Sequence, residues 1–236
     1  MKFKHITVIA AASLLASIAN AEWHYGVGSG FGSSSYDGNL KLSGGQKLDV
    51  DFDHSDFESG FGAAGFATDG TWVFDLSGSS VEFESKELID GAAFETKNNF
   101  QRTFGEFSVG YVAYREDAIT LTPYLGINYT NHEWEFKGGG GKQTIEDSWV
   151  DAVFGIKLDY KINEEWLWNS SADYTAGGSE GCYSFQTGPS WKFAEHWVAG
   201  AYVSYEHDEF DGNDSDVDFD YDTDVTSFGL TIAYVW

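Results

Sequence analysis

Residues 119–130 read ITLTPYLGINYT, and apolar and polar side chains alternate along almost the whole stretch. The odd-numbered positions are apolar or aromatic, and the even-numbered positions are mostly Thr, Asn or Gly. Residues 226–236, TSFGLTIAYVW, repeat the pattern, with the even-numbered row now apolar and ending in Trp236. A period of two is that of a strand whose two faces meet different surroundings. Both stretches are therefore predicted to be β-strands.

Eight further segments show similar alternation, each bounded by turn residues. In chain order the ten predicted strands are residues 23–32, 57–68, 71–80, 103–114, 119–130, 148–160, 165–174, 182–193, 197–206 and 226–236. Strands of about ten residues are long enough to cross a bilayer when they are tilted. Pro123 and Pro189 lie inside two of them, and each is predicted to mark a bulge or a local break, because proline has no N–H to give to a ladder.

The connections between these segments alternate in length. Residues 69–70, 115–117, 161–164 and 194–196 are short turns. The other connections are long, polar and acidic, except for a shorter glycine-rich link at 175–181; the long ones are residues 33–56, 81–102, 131–147 and 207–224. Short turns at one end and long loops at the other are typical of a bacterial outer-membrane barrel. We therefore predict an all-β, transmembrane, antiparallel up-and-down β-barrel with both termini periplasmic. Ten strands fit best, and eight to twelve are compatible because residues 33–56 could hide a further hairpin.

Composition supports this fold class and excludes others. The 236 residues include 9 Trp, 13 Tyr, 19 Phe and 28 Gly but 2 Pro and 1 Met, a balance that favours strands over helices. The formal charge of −25 argues against nucleic acid as a partner. The single cysteine, Cys182, excludes an intrachain disulfide.

The first 21 residues are predicted to be a secretory signal peptide. Lys2 and Lys4 precede an apolar run, and Ala19-Asn20-Ala21 is a small-x-small cleavage site. Residues 22–236 are then a single barrel domain.

Aromatic residues gather at both ends of the predicted strands. Near the short turns lie Trp23, Trp72, Tyr160, Trp166, Trp168, Trp191, Trp197 and Trp236. Near the long loops lie Phe31, Tyr129, Tyr174, Tyr183, Tyr205 and Phe228. Two aromatic girdles suit the two headgroup regions of a membrane, whereas a β-sandwich has no reason to place them on its outer surface.

The terminal run from Phe228 to Trp236 resembles the C-terminal strand that outer-membrane proteins present to the barrel assembly machinery. Together with the stretches 149–155 and 173–178, it is similar to the small, porin-like outer-membrane barrels that include OmpA-type and OmpW-type domains. The resemblance implies location in the outer membrane of Gram-negative bacteria, contact with its lipid and lipopolysaccharide, and Trp236 as an assembly signal. It implies no particular activity, and the oligomeric state stays open.

The predicted inward faces carry charged residues. Four acids fall toward the long-loop end without an evident basic partner: Glu106, Asp151, Asp173 and Glu206. Lys157 and Lys192 fall toward the short turns, where Asp159 and Glu165 are expected to neutralise them. Charges inside a barrel are costly unless they are paired or hydrated, so the upper acids indicate a hydrated vestibule or a bound cation.

The same faces also carry many glycines, which leave room for large inward residues such as Tyr124 and Tyr202. Two interpretations of the lumen follow from these residues. One is a packed, purely structural interior. The other is a narrow pore that prefers cations, with the four upper acids at its outer mouth.

The last long loop is strongly acidic. Aspartate stands at every second position, as Asp214, Asp216, Asp218, Asp220 and Asp222, with Val217, Phe219 and Tyr221 between them. In extended chain these carboxylates share one face, so the loop is predicted to be a hairpin with its tip at Asp211-Gly212. The row could bind Ca²⁺ or Mg²⁺ weakly, or share ions with lipopolysaccharide phosphates. The alternative is a solvated acidic surface.

Catalysis is not expected, and no other cofactor is predicted. A rim protease of the omptin type would need paired aspartates and an Asp-His pair, for which Asp51, Asp53, His54, His207 and Asp208 offer the residue types. The chain looks short for strands that extend well above the bilayer. A lipid hydrolase could use His24, but no motif surrounds it. The leading interpretation is a structural or narrow-pore barrel; the alternatives are a surface binding or adhesion module and a rim hydrolase.

Overall fold

The computed structural model describes residues 23–42, 47–87, 96–138, 141–214 and 217–236. The predicted signal peptide lies outside them. The described residues form twelve strands: β1 His24–Leu42, β2 Lys47–Phe52, β3 Phe57–Thr68, β4 Trp72–Glu87, β5 Thr96–Tyr111, β6 Tyr114–Glu116, β7 Ile119–Gly138, β8 Gly141–Lys161, β9 Trp166–Gly177, β10 Gly181–Lys192, β11 Trp197–Asp214 and β12 Val217–Val235. The described part of the chain contains no helix long and apolar enough to span a membrane.

Ten of these strands close into an antiparallel barrel in which neighbours in sequence are neighbours in space. The order is β1, β3, β4, β5, β7, β8, β9, β10, β11 and β12, and β12 returns to pair with β1. The remaining two are additions: β2 pairs with the upper part of β1, and the three-residue β6 pairs with the start of β7. The predicted ten-stranded up-and-down barrel is confirmed, and the suspected hairpin within residues 33–56 exists.

The alternation predicted for β7 is seen in its exposure. Leu125 is 61% exposed on the outer surface, whereas Tyr124 is 6% exposed and faces the lumen. Both predicted aromatic sets lie exposed on the outer surface: the set near the short turns, which includes Trp23 and Trp236, and the set near the long loops, which includes Phe31 and Phe228. The apolar band between them is the surface expected of a membrane-spanning barrel.

The prediction of long loops at one end was wrong for most of their length. Residues 81–87, 96–102, 131–138, 141–147 and 207–214 continue the strands above the apolar band. The hairpin predicted for residues 207–224 is present, but Asp211 and Gly212 pair with Asp220 and Phe219 of β12, so the prediction of its tip at Asp211-Gly212 was wrong. The acidic residues made these stretches look like loops. They are strands because the inward neighbours of the acidic residues are aromatic and support a continued ladder.

Both prolines lie where pairing on one side of their strand is interrupted. Beside Pro123, the partner of β7 changes from β5 to β6, and the paired residues on either side are Tyr124 and Leu121. Beside Pro189, the pairing of β10 with β11 stops after Thr187 and resumes at Ser190. The predicted local breaks are confirmed.

Trp236 completes the seam that closes the barrel. Its N–H donates to the Tyr25 carbonyl over 2.9 Å, its carbonyl accepts from the Tyr25 N–H over 3.0 Å, and its ring stacks on the Tyr25 ring. Trp236 therefore adds two ladder hydrogen bonds at the edge where β1 and β12 meet.

We predict that deletion of Trp236 lowers the yield of assembled barrel, because it leaves two backbone groups of Tyr25 unpaired at the seam. The measurement is the fraction of protein that shows heat-modifiable migration on a gel. The control is Trp236→Phe, which keeps the backbone bonds and an aromatic ring and should assemble normally. Equal yields for the deletion and the wild type would contradict this role.

Candidate functional site

An aromatic cluster fills the barrel above the apolar band. We call it the aromatic plug; its buried residues are Tyr36, Phe52, Phe57, Val81, Phe83, Phe100, Trp134, Ile145, Trp149, Phe210, Tyr221 and Val225. The rings of Phe100 and Trp134 stack 4.1 Å apart, and those of Trp149 and Phe210 stack 4.0 Å apart. Trp134 on β7 and Tyr221 on β12 come from opposite sides of the ten-strand ring, and their rings lie 5.8 Å apart. Side chains therefore meet across the lumen at this level.

An ion pair spans the lumen beside the plug. Arg102 on β5 donates from Nη1 to Glu206 Oε2 on β11 over 3.1 Å and pairs with the same carboxylate through Nη2. Its Nη2 also lies 3.4 Å from Asp208 Oδ2. The expectation that the upper acids lack a basic partner was wrong for Glu206, because Arg102 is part of a strand and faces inward rather than lying in a loop.

Burial shapes the charge of the groups around Arg102. Desolvation and the neighbouring charge of Glu206 raise the pKa of Asp208 to about 7, against the opposing effect of Arg102. Burial, assisted by Arg102, holds the pKa of His132 well below its usual value, so this imidazole is neutral.

A polar cavity of about 130 Å³ lies among these inward side chains, and we call it the luminal cavity. It brings together the four predicted luminal acids, Glu106, Asp151, Asp173 and Glu206. It also includes residues that the sequence reasoning did not assign to the lumen, namely Asp75, Arg102 and Asp208. In all, six carboxylates and two basic groups line it.

Two of the predicted acids are held by identified donors. Asp151 Oδ1 accepts hydrogen bonds from the backbone N–H groups of Gly178 and Ser179, over 2.7 and 2.9 Å, in the short link between β9 and β10. Asp173 Oδ2 accepts a hydrogen bond of 2.9 Å from the Tyr124 hydroxyl. These contacts fix the direction of both carboxylates.

Lys157 pairs with an acid that was not predicted. Lys157 Nζ lies 2.7 Å from Asp75 Oδ2 of β4 rather than pairing with Asp159. Asp159 instead accepts a hydrogen bond from Asn169 Nδ2. Lys192 and Glu165 are exposed near the short turns. The reason is geometric: across a narrow barrel, a residue on a distant strand can be nearer than a sequence neighbour on the same face.

The inward glycines make room for large neighbours, as predicted. A Cβ added to Gly155 would lie 2.2 Å from the Tyr124 ring, and one added to Gly229 would lie 2.7 Å from the Tyr202 ring. A second buried apolar cluster lies at the short-turn end and consists of Phe66, Val198, Ala233 and Val235. The lumen is therefore occupied by side chains above and below the luminal cavity.

The acidic residues of β12 that the structure describes lie on the outer surface. Asp220, Asp222 and Asp224 alternate with inward Tyr221 and Thr223, as the sequence predicted for this row. Asp214 and Asp218 belong to β11 and β12, and Asp216 lies outside the described residues. The described aspartates of this row therefore share the outer face of β12.

One outer-surface group has the residue types of a metal site. Ligand atoms of His207, Glu209 and Asp222 lie within 4.8 Å of one another, and we call this group the outer cluster. His207 Nδ1 also lies 2.9 Å from Asp224 Oδ1. Burial lowers the pKa of His207, but the hydrogen bonds with Asp224 and Glu209 outweigh it and raise the pKa above its usual value.

The residue pairs considered for catalysis are not brought together as the sequence suggested. His207 faces outward and Asp208 faces the lumen, because consecutive strand residues point to opposite sides. His54 Nδ1 instead lies 2.9 Å from the Ser33 hydroxyl, and Asp53 accepts a hydrogen bond from the Ser55 N–H.

The strands are longer than the sequence suggested. The chain was expected to be too short for strands that extend well above the bilayer, and this expectation was wrong, since β8 alone has 21 residues.

Arg102, Asp75 and Asp208 were missed because the predicted strands were too short or their inward row was not followed. Arg102 is in phase with Glu106, Asp75 with Val73, and Asp208 with Glu206. Extending the period of two through the acidic stretches would have assigned Arg102 and Asp208 to the lumen.

Comparison with known proteins defines the class. No protein-family model matches the sequence, and no curated protein matches it. The outer-membrane protease OmpT from Escherichia coli aligns over 94% of this chain and 100% of its own, at 8% identity and a TM-score of 0.57. The chain therefore has the fold of an outer-membrane β-barrel.

Two further solved structures align at lower TM-scores. Ail, the attachment invasion locus protein of Yersinia pestis, has 14% identity and a TM-score of 0.41 over 91% of this chain and 99% of its own. The Pseudomonas putida toluene transporter TodX has 9% identity and a TM-score of 0.41 over 98% of this chain and 95% of its own. At these identities the likeness concerns the fold and not an activity.

We predict that Arg102→Met destabilises the barrel by about 3–5 kcal/mol, because it leaves Glu206 and Asp208 buried without their cation. The measurement is urea-induced unfolding of the refolded protein in lipid vesicles. The matched control is Lys41→Met, which removes an ion pair with Asp220 that is about half exposed on both sides and should not change stability measurably. A similar stability for both variants would show that the cross-lumen pair does not stabilise the fold.

Proposed function

We propose that the protein is an integral outer-membrane barrel with a filled, non-conducting interior and a non-enzymatic role at the cell surface. The observation that carries this proposal is the aromatic plug, in which Trp134 and Tyr221 meet from opposite sides of the ring. A barrel of eight strands is just wide enough to be filled by side chains, and ten strands add little room.

We further propose that the short turns and both termini of the barrel domain are periplasmic and that the extended strands rise above the outer surface. In bacterial outer-membrane barrels, short turns face the periplasm and long connections face outward. An epitope inserted between Asp214 and Val217 should then be labelled on intact cells, whereas one inserted at Asp69-Gly70 should not. The reverse labelling would contradict this orientation.

The outer face of β11 and β12 supports a binding role for that surface. Outward acids such as Asp222 and Glu209 stand just beyond the aromatic residues Tyr205 and Phe228. Carboxylates at this height would share divalent cations with lipopolysaccharide phosphates, since Ca²⁺ and Mg²⁺ prefer oxygen ligands. The proposed partners are therefore outer-membrane lipid and lipopolysaccharide, with weakly bound Ca²⁺ or Mg²⁺ between them.

A narrow, cation-preferring pore is the second candidate function. The observation in its favour is the excess of acids in the luminal cavity, where six carboxylates face two basic groups. If the plug moved aside, cations would meet a favourable potential there and anions an unfavourable one.

Planar-bilayer recording of the refolded protein separates the two candidates. We expect no steady conductance from the wild type, and a cation-selective conductance from the double variant Phe100→Ala, Trp134→Ala, because it removes two rings that stack in the plug. The control is Trp168→Ala, which removes a tryptophan from the outer surface and should stay silent. Steady conductance by the wild type would refute the filled interior and favour the pore.

A further inference from the structure

Among the described residues, four buried side-chain oxygen atoms at the wall of the luminal cavity receive no hydrogen bond. Two of them belong to Asp75 and Asp208, whose carboxylates lie beside Lys157 and Arg102. The other two have no such cation. Within the described parts of the chain, Asp151 Oδ2 and Asn128 Oδ1 have no donor, although both atoms are inaccessible. Asp151 is 1% exposed and Asn128 is 7% exposed, and both line the cavity. Buried acceptors of this kind are costly unless something in the cavity satisfies them.

The two residues are direct partners in the barrel. Asn128 on β7 pairs with Asp151 on β8, and on its other side Asn128 pairs with Glu106 on β5. Directly opposed residues have Cβ atoms about 4.5–5.5 Å apart. Three oxygen-bearing side chains therefore form one row across three neighbouring strands of the inner wall.

The two basic groups of the cavity form their ion pairs with acids outside this row. Arg102 is engaged by Glu206 and Asp208, and Lys157 is engaged by Asp75. Among the described residues, neither Asp151 nor Glu106 forms an ion pair. The backbone N–H groups of Gly178 and Ser179 anchor Asp151 Oδ1, and this leaves Oδ2 as the oxygen available to a ligand.

We propose that the luminal cavity binds one Ca²⁺ ion, with Asp151 Oδ2 and Asn128 Oδ1 as ligands and Glu106 completing the row. Ca²⁺ accepts six to eight oxygen ligands, including carboxylates, amide carbonyls and waters, in flexible geometry, whereas Mg²⁺ demands a tight octahedron. A cavity of about 130 Å³ has room for the ion and a few waters, each of which occupies about 30 Å³ in the liquid. The site goes beyond the proposed function, since it does not depend on whether the barrel conducts or on what its outer surface binds.

Tb³⁺ is a suitable luminescent probe for this site, because it is a hard cation that takes oxygen ligands. Trp149 lies two residues from Asp151 on the same inward face of β8 and lines the same cavity, so it can sensitise a bound Tb³⁺ ion. The full mature chain is refolded with Tb³⁺ present, so that entry through the plug is not required. We expect tryptophan-sensitised luminescence, and Ca²⁺ present together with Tb³⁺ during refolding should lower it at a smaller concentration than Mg²⁺ does.

The decisive variant is Asp151→Asn, which keeps Oδ1 as an acceptor for Gly178 and Ser179 but removes the charge. We expect at least about a tenfold loss of Tb³⁺ and Ca²⁺ affinity. Substitution of residues that only hydrogen-bond to a metal ligand already has an effect of this size. Asn128→Ala removes a ligand oxygen without changing the charge of the site and should also weaken binding. It therefore tests whether Asn128 coordinates the ion, separately from the effect of the negative charge on Asp151. It also provides the test if Asp151→Asn does not assemble, as judged by heat-modifiable migration.

The matched control is the double variant Glu209→Gln, Asp222→Asn, which removes two acids from the outer cluster. It should leave unchanged both the tryptophan-sensitised signal and the reduction of that signal when Ca²⁺ competes during refolding. Loss of the signal in this control but not in Asp151→Asn would assign the ion to the outer surface and overturn the proposal. Absence of sensitised luminescence from the wild type would overturn it as well.

Discussion

The closed hydrogen-bond ladder is the constraint on which the rest of this structure depends. The bilayer core offers no water to unpaired backbone groups, so a sheet can cross it only if its first and last strands pair. Here β12 pairs with β1 from Gly26 to Leu42, and Trp236 adds the final bonds at the seam. Closure with ten strands fixes a narrow interior, and every second residue must point into it.

The narrow interior explains how the inward side chains are arranged. Large rings fit where the facing residue is small, as Tyr124 does against Gly155. Above the apolar band the rings are numerous enough to meet across the lumen, and they form a core like that of a globular protein. Charged groups lie between the two apolar clusters and are stabilised by partners on other strands, such as Arg102 with Glu206.

The fold could be predicted from the sequence because alternation is a local property that the membrane enforces along β7 and β12. The same alternation predicted which acidic side chains point into the lumen, namely Glu106, Asp151, Asp173 and Glu206. The partners of these acids could not be predicted, because contact across the lumen depends on strand tilt and register. These are properties of the whole barrel and cannot be derived from the sequence of a single strand. The height of β5 and β7 was underestimated because the polar, acidic stretches 81–102 and 131–147 were interpreted as loops, although Phe100 and Trp134 keep the strand period. Only residues 207–224 were predicted to continue as a hairpin.

The central claim is that side chains close the lumen, and Cys182 provides a direct test. It is the single cysteine of the chain, is buried, and lines the luminal cavity. The measurement is the rate at which a bulky, membrane-impermeant maleimide labels Cys182 in the refolded barrel, compared with the variant that lacks the Phe100 and Trp134 rings. We expect the wild type to be labelled far more slowly than the variant and only as fast as it unfolds. Equally fast labelling of both proteins would contradict it.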